Sequence, residues 1–350
     1  MTRRLRKTTL EDIARHAGVG MATVDRVLNE RGGVSQQTTR RVLEAAKTLG
    51  TKRILPTEIK RRLLIEAVFA RNHSAYYERL NEALQTVAEV ISLPVTVYRT
   101  HIDVDKPDKL SAHLSTVAGS RDGIILFAND LPQTAQVVQQ LADKTTIVTI
   151  STDITDSGRH SYVGINNENA GQAAAKISEA ICRKGGRVLA VTPETGVRAP
   201  LERLVGFTRF FEERDAEDRL LVFTPPSNMP VALSQLIQLL TDEDDIRVLY
   251  SPFNDAFAER VIEAGMQEQV IRSLAKITHD LSPHAISNLR SGLIDMVIDS
   301  NPMQQVSKAV DFIAREHGYV SRKTVADVDF QLYTSENLPV SYTHLTLPTT

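Results

Sequence analysis

The chain has 350 residues, 42% of them hydrophobic, and a formal net charge of −2 at pH 7. This length is too great for one hydrophobic core and predicts a small head followed by a body of one or two lobes. Cys182 is the only cysteine, which excludes an intramolecular disulfide and an all-cysteine metal site. No run approaches the roughly 20 apolar residues of a membrane helix, and no apolar stretch of signal-peptide length follows Lys7, so we expect a cytoplasmic protein.

Charge is divided unevenly along the chain. Residues 1–62 hold 15 Lys and Arg against 6 Asp and Glu, whereas the remaining residues hold 26 against 37. A basic module on an acidic body is typical of a protein that meets a polyanion through that module alone. The alternative is a solvated basic surface with no partner. The basic residues that accompany the head are Arg3, Arg4, Arg6, Lys7, Arg26, Arg40, Arg41, Lys52 and Arg53.

The first elements along the chain form a helix-turn-helix pattern. Thr9 begins a short amphipathic helix, Ala17-Gly18-Val19 makes a tight turn, and a second helix runs from about Met21 to Leu28. Gly18 tolerates the positive φ that such a turn requires. The two helices are predicted to pack through apolar residues, namely Ile13, Ala14, Val24, Val27 and Leu28.

The opposite face of the second helix is the predicted DNA-reading surface, because this helix enters the major groove in helix-turn-helix proteins. It carries Met21, Ala22, Asp25, Arg26 and Asn29. The carboxylate of Asp25 is unusual near a polyanion. We expect it to accept a hydrogen bond from a cytosine amino group or to orient Arg26.

A third helix completes the head. Ser35 is its predicted N-cap and Gly50 occupies the C′ position. We therefore predict a DNA-binding domain over residues 1–50 and a basic linker over 51–62, in which Pro56 interrupts any continuous helix.

From Leu63 onward, short apolar runs alternate with helical patterns. The runs are LLIEAVF, PVTVYR, DGIILF, TIVTIS, GRVLAV, LLVFTP, IRVLYS, LAKITHD and DMVIDS. The predicted helices are Tyr77–Val90, Lys109–Val117, Thr134–Leu141, Asn169–Cys182, Leu201–Glu213, Val231–Leu240, Ala256–Ala264, Pro283–Leu289 and Met303–Glu316. This alternation predicts an α/β body of two doubly wound, Rossmann-like lobes over residues 63–339.

Polar residues follow the predicted strands, where open α/β sheets bind their ligands. They include Asn72, Asp153, Asn254, Asp280 and Ser300. Such a set of amides, carboxylates and hydroxyls suits a hydroxyl-rich ligand. Tyr76 is a candidate for stacking on a sugar face.

No enzyme motif accompanies this predicted cleft. The sequence holds no phosphate-cradling GxxxxGK[ST], no GxSxG, no HExxH and no GxGxxG after a strand. His279 and His284 lie near Asp280 without the spacing of a metal site. We therefore predict no catalytic residues, no cofactor and no metal.

These residues resemble the lac/galactose repressor (LacI/GalR) family. The head TLEDIARHAGVGMATVDRVLNERGGVSQQTTRRVLEAAKTLG carries the most specific match, and the body matches at DGIIL, TDI, YVGINNENAG, ERLVGF and HDLSPHAISNLRSGLIDMVIDSNP. The resemblance implies a head joined to an effector domain of the periplasmic binding protein type I-like fold. It also implies a dimer that binds operator DNA and closes its two lobes around a small molecule.

The resemblance also implies roles for single residues. Thr23, Arg26 and Asn29 match positions that contact DNA, whereas Met21 and Ala22 match the two that set operator preference. We also assign Thr9, at the start of the first helix, to the DNA-binding surface. The positions that match contacts to sugar hydroxyls are Asp153, Arg203, Asn254 and Asp280.

Three features depart from the family pattern. Gly20 stands where the family has Ser or Thr, so one hydroxyl that caps the second helix or binds a phosphate is lost. The proline, asparagine and ARxL hinge is not recognisable in the linker, where Leu55 and Leu63 are poor candidates for minor-groove insertion. Residues 340–350 follow no domain pattern and are interpreted as an extraneous tail.

The sequence thus predicts a cytoplasmic, homodimeric, ligand-responsive transcriptional regulator that acts as a repressor. Its predicted partners are a double-stranded DNA operator and a sugar or polyol effector, with no membrane. Two alternatives stay open: a regulator with a purine or other non-sugar effector, and a metabolic enzyme that carries a DNA-binding head.

Overall fold

A computed structural model of the protein describes residues 8–29, 31, 33–51, 61–71, 75–192, 198–253, 256–264, 267–320 and 327–339. The chain divides between Arg62 and Leu63 into two compact units, here called the head and the body. Among the described residues, no helix combines the length and the apolar character needed to cross a membrane.

The head consists of three helices, α1 (Leu10–Ala17), α2 (Met21–Leu28) and α3 (Gln36–Thr48). Thr9 begins α1 through a reciprocal cap with Asp12: its hydroxyl accepts from the Asp12 N–H at 3.2 Å, and its own N–H donates to the Asp12 carboxylate at 3.0 Å. Gly18 ends α1 with a φ of +65°, which confirms the predicted turn. Ser35 caps α3 by accepting from the Thr38 N–H.

The apolar faces of the three helices form one core in the head. Its buried side chains include every residue predicted to join the first two helices, together with the matching face of α3: Ile13, Ala14, Ala17, Val24, Val27, Leu28, Val42, Leu43, Ala45 and Ala46. Burial of this face stabilises helices that are too short to persist alone in water.

The first lobe of the body contains a parallel sheet of five strands in the order β2-β1-β3-β4-β5. These strands are β1 (Leu63–Arg71), β2 (Val95–Asp103), β3 (Gly123–Phe127), β4 (Thr146–Ile150) and β5 (Ser161–Val163). The helices of this lobe are α4 (Ala75–Val90), α5 (Pro107–Val117), α6 (Pro132–Leu141) and α13 (Pro302–Glu316), the last of which packs on α4 and β4.

The second lobe contains six strands in the order β11-β10-β9-β8-β6-β7. They are β6 (Arg187–Val191), β7 (Leu220–Phe223), β8 (Ile246–Tyr250), β9 (Ala275–His279), β10 (Met296–Asp299) and β11 (Gln331–Tyr333), of which β11 alone pairs antiparallel. Its helices are α7 (Asn167–Ile181), α8 (Arg198–Glu212), α9 (Met229–Asp242), α10 (Ala256–Ala264), α11 (Gln269–Arg272) and α12 (Pro283–Arg290).

The chain passes between the lobes three times, after β5, after β10 and after α13. The first and third crossings touch through a bridge between Ile165 and Val328. The central strands are buried almost throughout, as parallel strands with helices on both faces must be. The predicted fold of two doubly wound lobes is confirmed.

Candidate DNA-binding surface and effector cleft

The outer face of α2 is exposed as the pattern predicted. Met21 is 57% exposed, and Ala22, Arg26 and Asn29 are also exposed, while Thr23 is half-buried. Val24, Val27 and Leu28 hold the opposite face in the core. The helix is therefore fixed on the head with its outer side chains turned to solvent.

Asp25 interacts with neighbours other than the one predicted for it. Asn29 donates through Nδ2 to Asp25 Oδ1 at 2.6 Å, and Arg31 donates through Nη1 to Asp25 Oδ2 at 3.0 Å. The prediction that Asp25 orients Arg26 is therefore not what the geometry shows. Its carboxylate instead accepts from Asn29, the C-cap residue of α2, and from Arg31.

Two further head residues have side chains engaged within the head. Thr9 is the N-cap of α1, and its hydroxyl is used there: it accepts from the Asp12 N–H and donates to the Asp12 carboxylate. Arg41 donates through Nη2 to the Ala17 carbonyl at 2.5 Å, close enough to Gly18 that a Cβ there would lie 2.8 Å from Nη2. Arg41 thus fastens the turn, whereas the sequence placed it among the basic residues of the surface.

Gly20 is the N-cap of α2 and gives this helix no side-chain capping bond. This finding agrees with the predicted loss of a capping hydroxyl. At this N-terminus the Thr23 N–H instead donates to the Gly20 carbonyl at 2.9 Å.

In the body, Arg203 is the centre of a buried polar network at the carboxyl ends of the second-lobe strands. Its guanidinium, on α8, is only 4% exposed. Nη1 donates to Asp280 Oδ2 at 3.2 Å and to the Pro252 carbonyl at 3.1 Å, and Nη2 donates to Ser300 Oγ at 2.9 Å. Nε donates to Asn167 Oδ1 at 3.0 Å. We call these five residues the Arg203 network.

The network is closed by a bond between its own members, because Ser300 donates to Asp280 Oδ1 at 2.6 Å. Burial alone disfavours the charged guanidinium, but the charge of Asp280 outweighs that effect, so the pKa of Arg203 stays raised. The ion pair therefore remains charged inside the protein. Three predicted effector residues, Arg203, Asp280 and Ser300, meet here.

Tyr76 approaches the same site from the first lobe. Ser151 donates to its hydroxyl at 2.5 Å, and Gln305 Nε2 donates to it at 3.2 Å and to the Ser300 carbonyl at 2.6 Å. Burial, aided by the negative charge of Asp280, raises the pKa of Tyr76, which stays a neutral phenol. Its ring meets Phe127 edge to face, with centroids 6.3 Å apart.

Asp153 does not join the Arg203 network in this structure. Its carboxylate accepts from Arg159 at both oxygens, from Thr149 Oγ1 at 3.0 Å and from the Ile154 N–H at 2.8 Å. Burial opposes ionisation of this carboxyl, yet the bonds from Arg159 prevail and lower its pKa. The partner Arg159 was missed from the sequence because nothing in the loop after β4 marks it.

In the part of the chain that the structure describes, two ion pairs join the lobes. Arg79 on α4 pairs with Asp299 at the end of β10, and both side chains are buried. Arg198 on α8 donates to Asp130 Oδ2 in the first lobe at 3.2 Å and to Glu202 on its own helix at 2.6 Å. Only the spacing of Arg198 and Glu202, four residues apart on a helix, was a signal available in the sequence.

Two predicted effector residues, Asn72 and Asn254, lie outside the described residues. The same is true of linker residues 52–60 and of the tail 340–350. Within the described part of the chain, no group of three or more His, Cys, Asp or Glu side chains is arranged to hold a metal ion.

Comparison with known families identifies both units. Residues 67–317 match the periplasmic binding protein domain, and residues 9–52 match the bacterial regulatory proteins of the lacI family. The chain belongs to the periplasmic binding protein domain family, with a lacI-family DNA-binding head. The family resemblance and the fold predicted from the sequence are confirmed.

Curated relatives are regulators. The ribose operon repressor of Halalkalibacterium halodurans is 31% identical over 131 residues, which cover 36% of this chain and 38% of the relative. The catabolite control protein A of Staphylococcus xylosus is 25% identical over 297 residues, 83% of this chain and 84% of the relative. The similarity to catabolite control protein A thus extends over most of both chains. The similarity to the ribose operon repressor covers little more than a third of each.

Solved structures share the fold of the body. A solute binding protein from Burkholderia graminis C4D1M in complex with D-arabinose superposes with a TM-score of 0.66 at 17% identity, covering 79% of this chain and 96% of that one. A putative LacI transcriptional regulator from Bacteroides fragilis gives a TM-score of 0.65 at 18% identity, covering 81% and 100%. At such identities the likeness shows the fold alone.

Proposed function

We propose that this lacI-type regulator is a homodimeric, cytoplasmic repressor that releases or binds its operator in response to a sugar or polyol. The observation that carries the proposal is the Arg203 network, which places charged and hydroxyl groups at the carboxyl ends of strands. This edge is where open α/β sheets bind ligands.

The proposal assigns the ligand's hydroxyls to groups from both lobes. Asp280 and Ser300 are already linked by a 2.6 Å hydrogen bond, and a sugar hydroxyl adds to such a pair as donor and acceptor at once. Tyr76 supplies a phenol and a ring edge, and Asp153 supplies a carboxylate held by Arg159. Asn72 and Asn254, which follow β1 and β8 along the chain, are proposed as further contacts.

On DNA, the proposal assigns base reading to the exposed face of α2. Met21 and Ala22 select the operator, while Thr23, Arg26 and Asn29 contact bases or phosphates, and Thr9 adds a contact at the start of α1. Asp25 acts through Arg31 and Asn29. Two heads related by a two-fold axis then recognise a pseudo-palindromic site with half-sites about one helical turn apart.

The response to ligand is a population shift. A ligand that touches both lobes favours the closed body over the open one by its difference in affinity for the two. Operator affinity changes by the same factor with which DNA changes ligand affinity. The cleft is assigned to binding without turnover, as suits a protein whose relatives are named as regulators.

The experiment is a thermal-shift screen of the full-length protein against pentoses, hexoses, polyols and nucleosides, because a ligand bound by the native state raises its melting temperature. Each hit is then added to the protein bound to DNA selected from a random pool, and fluorescence anisotropy reports release or tightening. A nucleoside hit with no sugar hit would favour the purine effector instead. Chemical conversion of the recovered ligand would contradict a purely binding role.

The matched variants are Arg203→Ala and Arg247→Ala. Arg247 is exposed and donates only to the backbone carbonyls of Asp244 and Ile246, so its loss should leave ligand affinity unchanged. Arg203→Ala should weaken the ligand roughly 5- to 150-fold, the range of a lost buried polar contact. Equal ligand affinity in the two variants would remove the Arg203 network from the site.

A further inference from the structure

The side chain of Arg31 folds back onto the outer face of α2. Its guanidinium donates through Nη1 to Asp25 Oδ2 at 3.0 Å, although the two residues are six positions apart. The backbone of Arg31 is anchored to the same helix, because its N–H donates to the Arg26 carbonyl at 2.9 Å. Arg31 thus follows α2 in the chain, but its guanidinium lies beside Asp25, on the face that the proposed function turns to DNA.

The carboxylate of Asp25 is itself held in place. Asn29, one turn further along α2, donates through Nδ2 to Asp25 Oδ1 at 2.6 Å and to the Asp25 carbonyl at 3.0 Å. The two carboxylate oxygens thus accept from different side chains, Oδ1 from Asn29 and Oδ2 from Arg31. The guanidinium is therefore bonded to a group whose own orientation is fixed, so both its position and its direction are set.

The pairing leaves one edge of the guanidinium available. In the described part of the chain, Nη1 is the only nitrogen of this group that has an acceptor, and the Arg31 side chain is 66% exposed. Nε and Nη2 form the remaining edge, which presents two parallel N–H groups. Two parallel donors match the O6 and N7 acceptors that a guanine presents in the major groove.

The charge of this pair favours a base over a phosphate as the partner of Arg31. The Asp25 carboxylate lies 3.0 Å from the guanidinium, so it offsets the attraction of Arg31 for a phosphate and repels the phosphate itself. The edge of a base carries no net charge and is recognised by donors that point in the correct direction. A carboxylate on a DNA-reading face lowers affinity for every sequence. It is compatible with base reading because it directs a guanidinium.

From this geometry we infer that Arg31 reads a guanine in each half-site of the operator and that Asp25 is the residue that positions it. The inference rests on the proposed function, and it adds to that function a base contact from outside α2. Asp25 then acts through Arg31, and not through a contact of its own with a cytosine.

The test is the selection of binding sites from a random DNA pool by the full-length protein, followed by anisotropy titrations against the selected site and its single-base variants. We expect the wild-type protein to prefer guanine at one position of each half-site by roughly 5- to 150-fold, the range of a bidentate contact. Arg31→Ala should reduce this preference to about twofold or less and keep the preferences at other positions.

Arg31→Lys separates a base contact from a phosphate contact. Lysine keeps the positive charge but has no planar pair of donors, so this variant should lose the guanine preference as Arg31→Ala does. A loss in Arg31→Ala that is uniform over all sequences and is restored by Arg31→Lys would indicate a phosphate contact and overturn the inference.

Asp25→Ala tests the positioning role. It removes a negative charge from the DNA-reading face, so it should tighten binding to all sequences. The guanine preference should fall at the same time, because the guanidinium loses its fixed direction. Adding Arg31→Ala to this variant should change that preference by less than about twofold further, as for two residues that act as one unit. A full guanine preference in Asp25→Ala would show that Asp25 does not position Arg31.

The matched control is Arg15→Ala. Arg15 pairs with Glu11 on α1 at 3.5 Å and is 73% exposed, so the substitution removes the same charge from the same unit. It should leave the base preference at every position unchanged. Equal guanine preference in the wild-type protein and in Arg31→Ala would overturn the inference and leave an operator-binding regulator intact. A wild-type protein that enriches no sequence would contradict operator binding itself, and the inference with it.

Discussion

The head and the cleft differ in how far along the chain their polar partners lie. In the head, Asp25 bonds residues four and six positions away, Asn29 and Arg31, and these groups are largely exposed. In the body, Arg203 bonds Asp280 and Ser300, which are 77 and 97 positions away, and the guanidinium is buried. The head presents groups that a short stretch of sequence sets in place, whereas the cleft is assembled from the whole body.

This difference predicts which residues can be substituted to change ligand or DNA binding without changing the stability of the fold. Exposed pairs contribute little to folding because water solvates their charges. When one member of a buried pair is removed, the other charge stays in the protein interior, where it is poorly solvated, and the fold is destabilised. Substitutions of exposed residues on the head should therefore change stability by less than about 1 kcal/mol. Substitutions of the buried pairs in the body should change it by several.

The largest expected effect tests the buried side of this comparison. Arg79→Met should lower the free energy of unfolding by about 3 to 5 kcal/mol, because the carboxylate of Asp299 stays buried without its partner. Urea unfolding of the body measures the loss. Adding Asp299→Asn should recover part of it, since the amide still accepts from the Leu281 N–H that bonds Asp299.

The matched substitution on the head is Arg31→Met, whose pair with Asp25 is 66% and 37% exposed. It should cost less than about 1 kcal/mol of stability. Equal losses in Arg79→Met and Arg31→Met would break the comparison, because burial would then not separate the two units.

The second effect tests the head as a binding surface. Arg26→Ala should weaken operator binding by about 1 to 3 kcal/mol without lowering the free energy of unfolding. A uniform loss over all sequences indicates a phosphate contact, and relaxed selectivity at one position indicates a guanine contact. Anisotropy titrations against the selected operator and its point variants distinguish them, with Arg247→Ala as the control for charge. Unchanged operator binding would remove Arg26 from the interface.

The third effect concerns pH. Burial lowers the pKa of His279 well below its usual value, so the folded protein keeps this imidazole neutral. The unfolded chain takes up the proton below about pH 6.5. Stability from this group is thus present above that pH and is lost as pH falls, by at most about 1.4 kcal/mol per pH unit.

Urea unfolding at several pH values between 7 and 5 measures that slope. His279→Gln, which retains a partner for the Tyr250 hydroxyl, should reduce it. A slope that His279→Gln does not alter would mean that the buried imidazole titrates alike in both states.

The smallest effect lies at Gly20. A serine there should stabilise the head by a few tenths of a kcal/mol by supplying the missing N-cap hydroxyl. The site accepts it, because φ is −74° and a Cβ at Gly20 meets nothing within 4 Å. Thermal unfolding of the head measures the gain, and Gly20→Ala, which adds no hydroxyl, should not produce it.

Most strands of the body were predictable from apolar runs alone, and each of the nine predicted runs overlaps a strand. The two that were not, β5 (Ser161–Val163) and β11 (Gln331–Tyr333), are three residues long each. So short a segment carries no usable period, and it becomes a strand because β4 or β10 offers a free edge.

Contacts between single side chains were also only partly predictable from the sequence. Arg203, Asp280, Ser300 and Tyr76 were selected from strand ends and family motifs, and the structure brings all four to one edge. Their partners Asn167 and Gln305, and the pairing of Asp153 with Arg159, were not foreseen. Arg41 was assigned to the basic surface and instead bonds the Ala17 carbonyl.

The sequence by itself determined what depends on near neighbours: the capped helices of the head, the exposed face of α2, and the alternation of strands and helices in the body. These follow from hydrogen bonds and apolar spacing within a few residues. Only the tertiary structure decided which cation meets which carboxylate. Arg79 finds Asp299 across 220 positions, and such a pairing is set by how the lobes pack, because burial makes an unmatched charge too costly to keep.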